Sequence, residues 1–204
     1  VETRGYTSPL REEAAARTRE RVLRAAAELF AEGGYARTSV AAIARAAGVA
    51  VNTVYTSVGG KSALLLAMVD DGVADEAVRA TTAALTSATS AAEVLRLVAR
   101  GTSVTRDRRE LTLSVLLDNR DAHPDVAEAA RVAEAEVRAR FAEAADRMLE
   151  LGGLREGVGG EELRRALWFY FGFPAWRVVR AEGLSWDDGA AWLCGQASDS
   201  LLAR

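Results

Sequence analysis

The sequence predicts an all-α protein, and three observations carry that reading. Apolar residues return at helical intervals in one segment after another, glycine pairs and prolines punctuate those segments, and no stretch alternates at the two-residue period of a strand pair. From about Arg17 the first stripe is Val22, Ala26, Leu29 and Phe30, at i, i+4, i+7 and i+8, ended by Gly33-Gly34. A short helix follows, entered through Thr38 or Ser39 as a hydroxyl cap, with Val40, Ile43, Ala44 and Ala47 on its apolar face. Gly48 turns the chain, and another short helix over about 50–57 turns Val54 inward. Gly59-Gly60 breaks it. A long helix is then expected from Lys61-Ser62 to about Leu85, with others over about 90–106, 109–119, 124–151, 161–182 and 186–203. Pro174 should bend the fifth of these six by removing a backbone hydrogen bond.

The bulk properties narrow the function classes. The chain has 204 residues, half of them apolar, and no apolar run near the length of a bilayer span. A basic stretch followed by an apolar one is missing from its start, so a cytoplasmic protein with no membrane partner is expected. The single histidine, His123, excludes sites built from several imidazoles, and neither a metal nor a cofactor is expected. The single cysteine, Cys194, sits among apolar neighbours as a packed thiol. Charge is unevenly spread: residues 1–61 hold nine basic and six acidic side chains, net +3, against the chain's −3. A basic head on an acidic body fits a head that meets polyanions.

Residues 39–57 read as helix, glycine turn, helix. Small Ala44 lets the two helices approach, Gly48 permits the turn, and Val49 and Val54 fix the crossing, so that the second helix projects its polar edge outward. Such an edge fits the major groove of duplex DNA. The residues placed for DNA contact are Thr38, Ser39, Arg45, Val51, Asn52, Thr53, Tyr55, Ser57 and Lys61. Asn52 and Thr53 can reach base edges or phosphates, Tyr55 can donate to a phosphate, and Lys61 adds a cation beside free helix N–H groups.

These residues resemble the tetracycline-repressor (TetR) family of regulators over about Arg17 to Leu66. The matches are Ala26-Ala-Glu-Leu-Phe30, Gly34-Tyr35, Thr38-Ser-Val40, Ile43-Ala44, Ala47-Gly48-Val49, Thr53-Val-Tyr55, and Lys61 followed by Leu64-Leu65. The resemblance implies an N-terminal three-helix helix-turn-helix domain and a C-terminal helical domain for ligand binding and dimerisation. The expected division is an arm over 1–16, the DNA-binding domain over 17–61 and the larger domain over 62–204. It further implies a homodimer on a near-palindromic double-stranded operator, repressing until a small, largely apolar effector releases it. Ala50 departs from the family's usual serine or threonine cap, and Ser57-Val58 replaces a common aromatic pair. The competing reading is a helical small-molecule-binding protein with a degenerate DNA-binding head.

Catalytic patterns fail on inspection. Gly60-Lys61-Ser62 imitates the end of a phosphate-binding loop, but Tyr55 stands where that loop needs glycine. No nucleophile elbow accompanies His123. No enzyme is expected.

In the body, aromatic residues crowd positions 168–176. Trp168, Phe169, Phe173 and Trp176 are candidates for a pocket wall, with plain core packing as the alternative, and Arg100, Asn119 and Arg120 could orient a ligand. On the last helix Trp186, Ala190, Leu193, Ala197 and Leu201 form a stripe suited to pairing with a second copy.

Overall fold

The computed structural model describes residues 9–203. Among the described residues eleven α-helices follow one another: α1 Pro9–Gly33, α2 Val40–Ala47, α3 Val51–Ser57, α4 Lys61–Val73, α5 Glu76–Ser87, α6 Ala91–Arg108, α7 Glu110–Asn119, α8 Pro124–Leu151, α9 Gly160–Phe171, α10 Phe173–Ala181 and α11 Trp186–Leu201. Among the described residues there is no strand, only an isolated bridge between Leu154 and Leu202. The protein is all-α, and no described helix is long and apolar enough to cross a membrane.

The helices gather into two compact units. The first holds the chain up to Asp71 together with Leu111–Arg131, so it adds most of α7 and the opening turns of α8 to the N-terminal helices. Its core is Val22, Ala26 and Phe30 of α1, Ile43 and Ala44 of α2, Val54 of α3 and Leu64 and Leu65 of α4, with Val115, Leu116 and Val126 from the later segment. The second unit holds Gly72–Glu110 and Val132–Arg204. Here α11 packs along α6 and α9, burying Leu95, Leu163, Leu167, Phe171, Leu193, Ala197 and Leu201. The compact division therefore does not fall at 61/62: residues 62–71 and 111–131 pack with the head.

Three elements differ from expectation. The arm expected over 1–16 is helical from Pro9, because proline suits a first turn whose N–H groups lack helical acceptors. Ala14 to Ala16 and the Glu13–Arg17 pair then carry the helix without needing an apolar stripe. Residues 1–8 of that arm lie outside the described residues. The helix expected over 61–85 is two helices. Asp75 ends the first by capping the second, its carboxylate accepting the Ala77 N–H at 2.9 Å. The bend expected at Pro174 is a complete break: α9 stops before Gly172, and Pro174 lies in the first turn of α10. Glycine is required there because the Trp168 side chain and carbonyl occupy the space of a Cβ.

Asp75 also receives Arg109 at 3.0 Å and Arg108 at 3.1 Å, in a buried position. Burial pushes its carboxyl up, but the Ala77 N–H and the two arginines outweigh burial and hold it below the ordinary carboxylate value. A depressed folded-state value stabilises above the unfolded pKa and is lost as pH falls through the carboxylate range. Asp75→Ala is expected to cost about 2 kcal/mol in urea unfolding at pH 7. Asp75→Asn, which keeps the cap but not the charge, should show a visibly shallower loss of stability below pH 4 than the parent.

Candidate functional site

In the first unit α2 and α3 cross as the spacing predicts. Ser39 caps α2, its Oγ accepting the Ala42 N–H at 3.1 Å, and Gly48 closes the helix at φ 65°, a left-handed conformation that suits glycine. The Gly48 N–H bonds the Arg45 carbonyl and the Val49 N–H bonds the Ala44 carbonyl, so the turn is fully tied. Val54 is wholly buried, whereas on the other side of α3 Val51 is 43% exposed, Tyr55 53%, and Asn52 is exposed beside them. Arg45 is exposed on α2, and Thr53 is half-buried. A polar edge on a rigid short helix is what a major groove accepts. Ala50 makes no side-chain cap, as its methyl dictates.

Some candidates are committed elsewhere. Thr38 is buried, and its hydroxyl faces the Leu29 and Gly34 carbonyls at 3.1 and 3.0 Å. It braces the α1–α2 connection and is withdrawn from the DNA-contact set. The Ser57 hydroxyl donates to the Val54 carbonyl at 3.3 Å. The Ser39 oxygen serves its cap but remains exposed. Lys61 lies 4.3 Å over the Tyr35 ring and donates to the Ala36 carbonyl at 3.3 Å, so its ammonium is already oriented at one edge of the unit.

Tyr35 is the anchor beneath that lysine. Its ring packs against Phe30 and His123, and its hydroxyl donates to Asp125 at 2.9 Å, which also accepts from Ser62 at 2.6 Å. Position 125 is in the first turn of α8, where a carboxylate also suits the helix dipole. The two hydroxyls hold the Asp125 carboxyl below the usual carboxylate value. This joint is absent from the sequence expectations, although Gly34-Tyr35 lies within the TetR-like stretch.

In the second unit a partly open cavity lies among α5, α6 and α8. Val78 and Leu85 of α5, Val98 of α6, and Val137 and Phe141 of α8 give it an apolar wall, and four threonines and two arginines add polar atoms. None of the seven candidate ligand residues lines it. Arg100 is exposed, and Asn119 and Arg120 belong to the first unit, where Asn119 donates to its own helix at Val115. Phe169 is 72% exposed and Trp168 lies under the Arg138 guanidinium. Trp176 is buried against Trp186. Phe173 comes nearest to a role, since its ring carries the guanidinium of Arg106, a cavity residue, at 4.4 Å.

Arg106, at the end of the helix expected over about 90–106, is not among the candidate ligand residues of the sequence. It is 4% exposed, its Nη2 donates to the Phe171 carbonyl at 3.3 Å, and its Nε has no hydrogen-bond partner. Burial and then the nearby charge of Arg140 push its pKa down to about 9, so it stays charged at neutral pH. A detectable sign existed. Ala91, Val94, Leu95, Val98, Ala99 and Thr102 lead to Arg106 along one helical stripe, which places a cation in the buried phase.

The dimer stripe is also corrected. Leu193, Ala197 and Leu201 are buried inside the chain, and Trp186 packs on Trp176 and lies under the Arg180 guanidinium at 4.7 Å. The Ser103 hydroxyl bonds the Trp186 carbonyl at 2.9 Å, tying that end of α11 to α6. The exposed face of α11 instead carries Trp192, 54% accessible.

The Tyr35 joint makes a stability prediction. Burial first, and then Asp125, raise the phenol from 10.0 to about 12. A raised folded-state value stabilises below the unfolded pKa and is lost as pH climbs through the folded one. Tyr35→Phe should cost about 1 kcal/mol at pH 7 in denaturant unfolding. The gap between parent and variant should close between pH 10 and 12.

Comparison with known proteins agrees with this geometry. Residues 22–68, which run from the core of α1 through α3 into α4, match the family model described as bacterial regulatory proteins, tetR family. No curated protein sequence matches significantly. Among solved structures, NalD of Pseudomonas aeruginosa, the secondary repressor of the MexAB-OprM multidrug efflux pump, is 25% identical, with a TM-score of 0.74 over 93% of this chain and 98% of that one. FadR of Bacillus subtilis, in complex with stearoyl-CoA, is 18% identical, with a TM-score of 0.72 over 87% and 96%. A Saccharomonospora viridis protein in complex with choline is 20% identical, with a TM-score of 0.71 over 93% and 100%. The helix-turn-helix in the first unit thus matches the tetR-family model, and the fold along nearly the whole chain is similar to that of bacterial transcriptional regulators of known structure.

Proposed function

We propose that this regulator is a repressor that binds a near-palindromic operator as a homodimer and is released by a small molecule held among α5, α6 and α8. The observation that carries the DNA half is the outward edge of α3, where Val51, Asn52 and Tyr55 are exposed while Val54 anchors the helix from behind. In a dimer, two such helices enter successive major grooves about 34 Å apart. Likeness to NalD supports repression as the direction. The stearoyl-CoA and choline complexes of two proteins similar in fold support a small organic ligand for this one.

Dimerisation is assigned to the face left bare by the internal packing of α11. Phe169 of α9, Val178 of α10 and Trp192 of α11 are three large apolar side chains exposed on the last helices, at 72%, 62% and 54%. Exposed aromatic anchors of this kind mark protein interfaces. Helix α8 supports a route from ligand to head. It lines the cavity with Val137, Arg140 and Phe141, and its first turn carries Asp125, the acceptor of Tyr35 and Ser62. A ligand that prefers one of two head spacings lowers DNA affinity by its preference for that state and no further.

The deciding experiment is electrophoretic mobility shift with DNA from upstream of the protein's own gene. Retardation is expected at low salt; its absence would favour the small-molecule-binding alternative. Lys61→Met should weaken all sequences alike and flatten the logarithmic salt slope by about 0.9 if one phosphate contact is lost. Asn52→Ala should instead change the preferred sequence in a selection experiment. For the assembly, Trp192→Asp should convert a dimer into a monomer by light scattering with the helical circular dichroism retained.

A further inference from the structure

We infer that the cavity among α5, α6 and α8 takes an organic carboxylate, with an apolar body along Val78, Leu85, Val98, Val137 and Phe141 and its acid group on Arg106. This rests on the reading of that cavity as the effector site and names the effector's chemical class. The inference starts from the donors available. Thr81, Thr82, Thr102 and Thr105 all line the cavity, and each already gives its hydroxyl proton to a carbonyl of its own helix: Ala77, Val78, Val98 and Gly101. They can accept from a ligand but have no proton left to donate. The remaining polar groups of the wall are Arg106, Arg140 and Glu143.

Arg106 differs from Arg140. Arg140 is half-buried, lies 3.8 Å from Glu136, and feels both Glu136 and Glu143 as favourable charges. Arg106 is buried, makes no ion pair among the described residues, and the one charge acting on it is the like charge of Arg140. Of the five N–H donors of its guanidinium, one bond is made, to the Phe171 carbonyl, and Nε is left without an acceptor. Its plane is held by the Phe173 ring at 4.4 Å, so it cannot swing to solvent without losing that stack. A buried cation with free donors beside an apolar cavity is a costly arrangement unless an anion completes it. A carboxylate meets a guanidinium with two parallel bonds, and its single charge costs less to bury beside an apolar wall than the greater charge of a phosphate. A cation such as choline, bound by one relative in fold, would be repelled here.

The test uses the full chain without DNA. Octanoate and decanoate, below their micellar concentrations, are compared by calorimetric titration with the matching primary amides, alkylamines and alkyl phosphates. The expected result is at least ten-fold tighter binding of a carboxylate than of its amide, no binding of the amine, and weaker binding of the phosphate. Arg106→Met should fold, checked by circular dichroism and thermal melting, and bind acid and amide alike. Arg106→Lys should retain part of the preference. Equal binding of acid and amide by the parent, an undiminished acid preference in folded Arg106→Met, or no carboxylate binding at all would overturn the inference. Tightest binding by the phosphate would overturn the choice of carboxylate. DNA retardation is scored separately on the same preparations. Loss of retardation with the acid preference intact counts against the regulator reading and upholds the site.

Discussion

The crossing of α2 on α3 is the constraint on which the head depends. Its parts are few: a left-handed Gly48, a methyl at Ala44, and Val54 wholly buried behind the turn. Shifting any of them rotates α3 about its own axis, and one residue of rotation is about 100°. At that angle Asn52 and Tyr55 would turn toward the core and the anchor toward water. The outward edge is thus specified by what is hidden behind it.

The second unit follows a different logic. Its core is conventional, with leucines, alanines and aromatic rings meeting along α6, α9 and α11. Against that background the buried charge of Arg106 is set in the cavity wall, on the same stripe that elsewhere carries valine and alanine. Close approach of α5 to α6 also has a specific cause, because Gly101 leaves room for the Thr81 side chain. The cavity's shape and its one uncompensated cation therefore arise from neighbouring turns of one helix.

Much of this was legible in the residues, and the failures have physical reasons. Periodicity located the α1 stripe and the α2–α3 pair because each stripe is covered by nearby chain, so pattern and burial coincide. Periodicity on α11 identified Leu193, Ala197 and Leu201 as an apolar face but could not say what covers it. The same stripe serves an internal core and a subunit interface. The break between α4 and α5 escaped notice because Asp75, in an alanine-rich run, looks like one more solvated charge until its carboxylate is seen capping Ala77. The cavity was missed because threonine reads as polar surface. Its hydroxyl returned to the helix leaves a methyl-lined wall that composition does not reveal.

Lys61 is the one lysine in the chain. Its half-exposed ammonium rests on the Tyr35 ring at the edge of the helix-turn-helix unit. Acylation of lysine, by an enzyme or by a chemical label, therefore has a single side-chain target in this sequence. Under the proposed DNA-binding function, the loss of one positive charge and the added bulk of an acyl group there would weaken contact with the phosphate backbone. Arginine-rich coding has, in effect, left the protein with one chemically addressable amine side chain, beside its reading head.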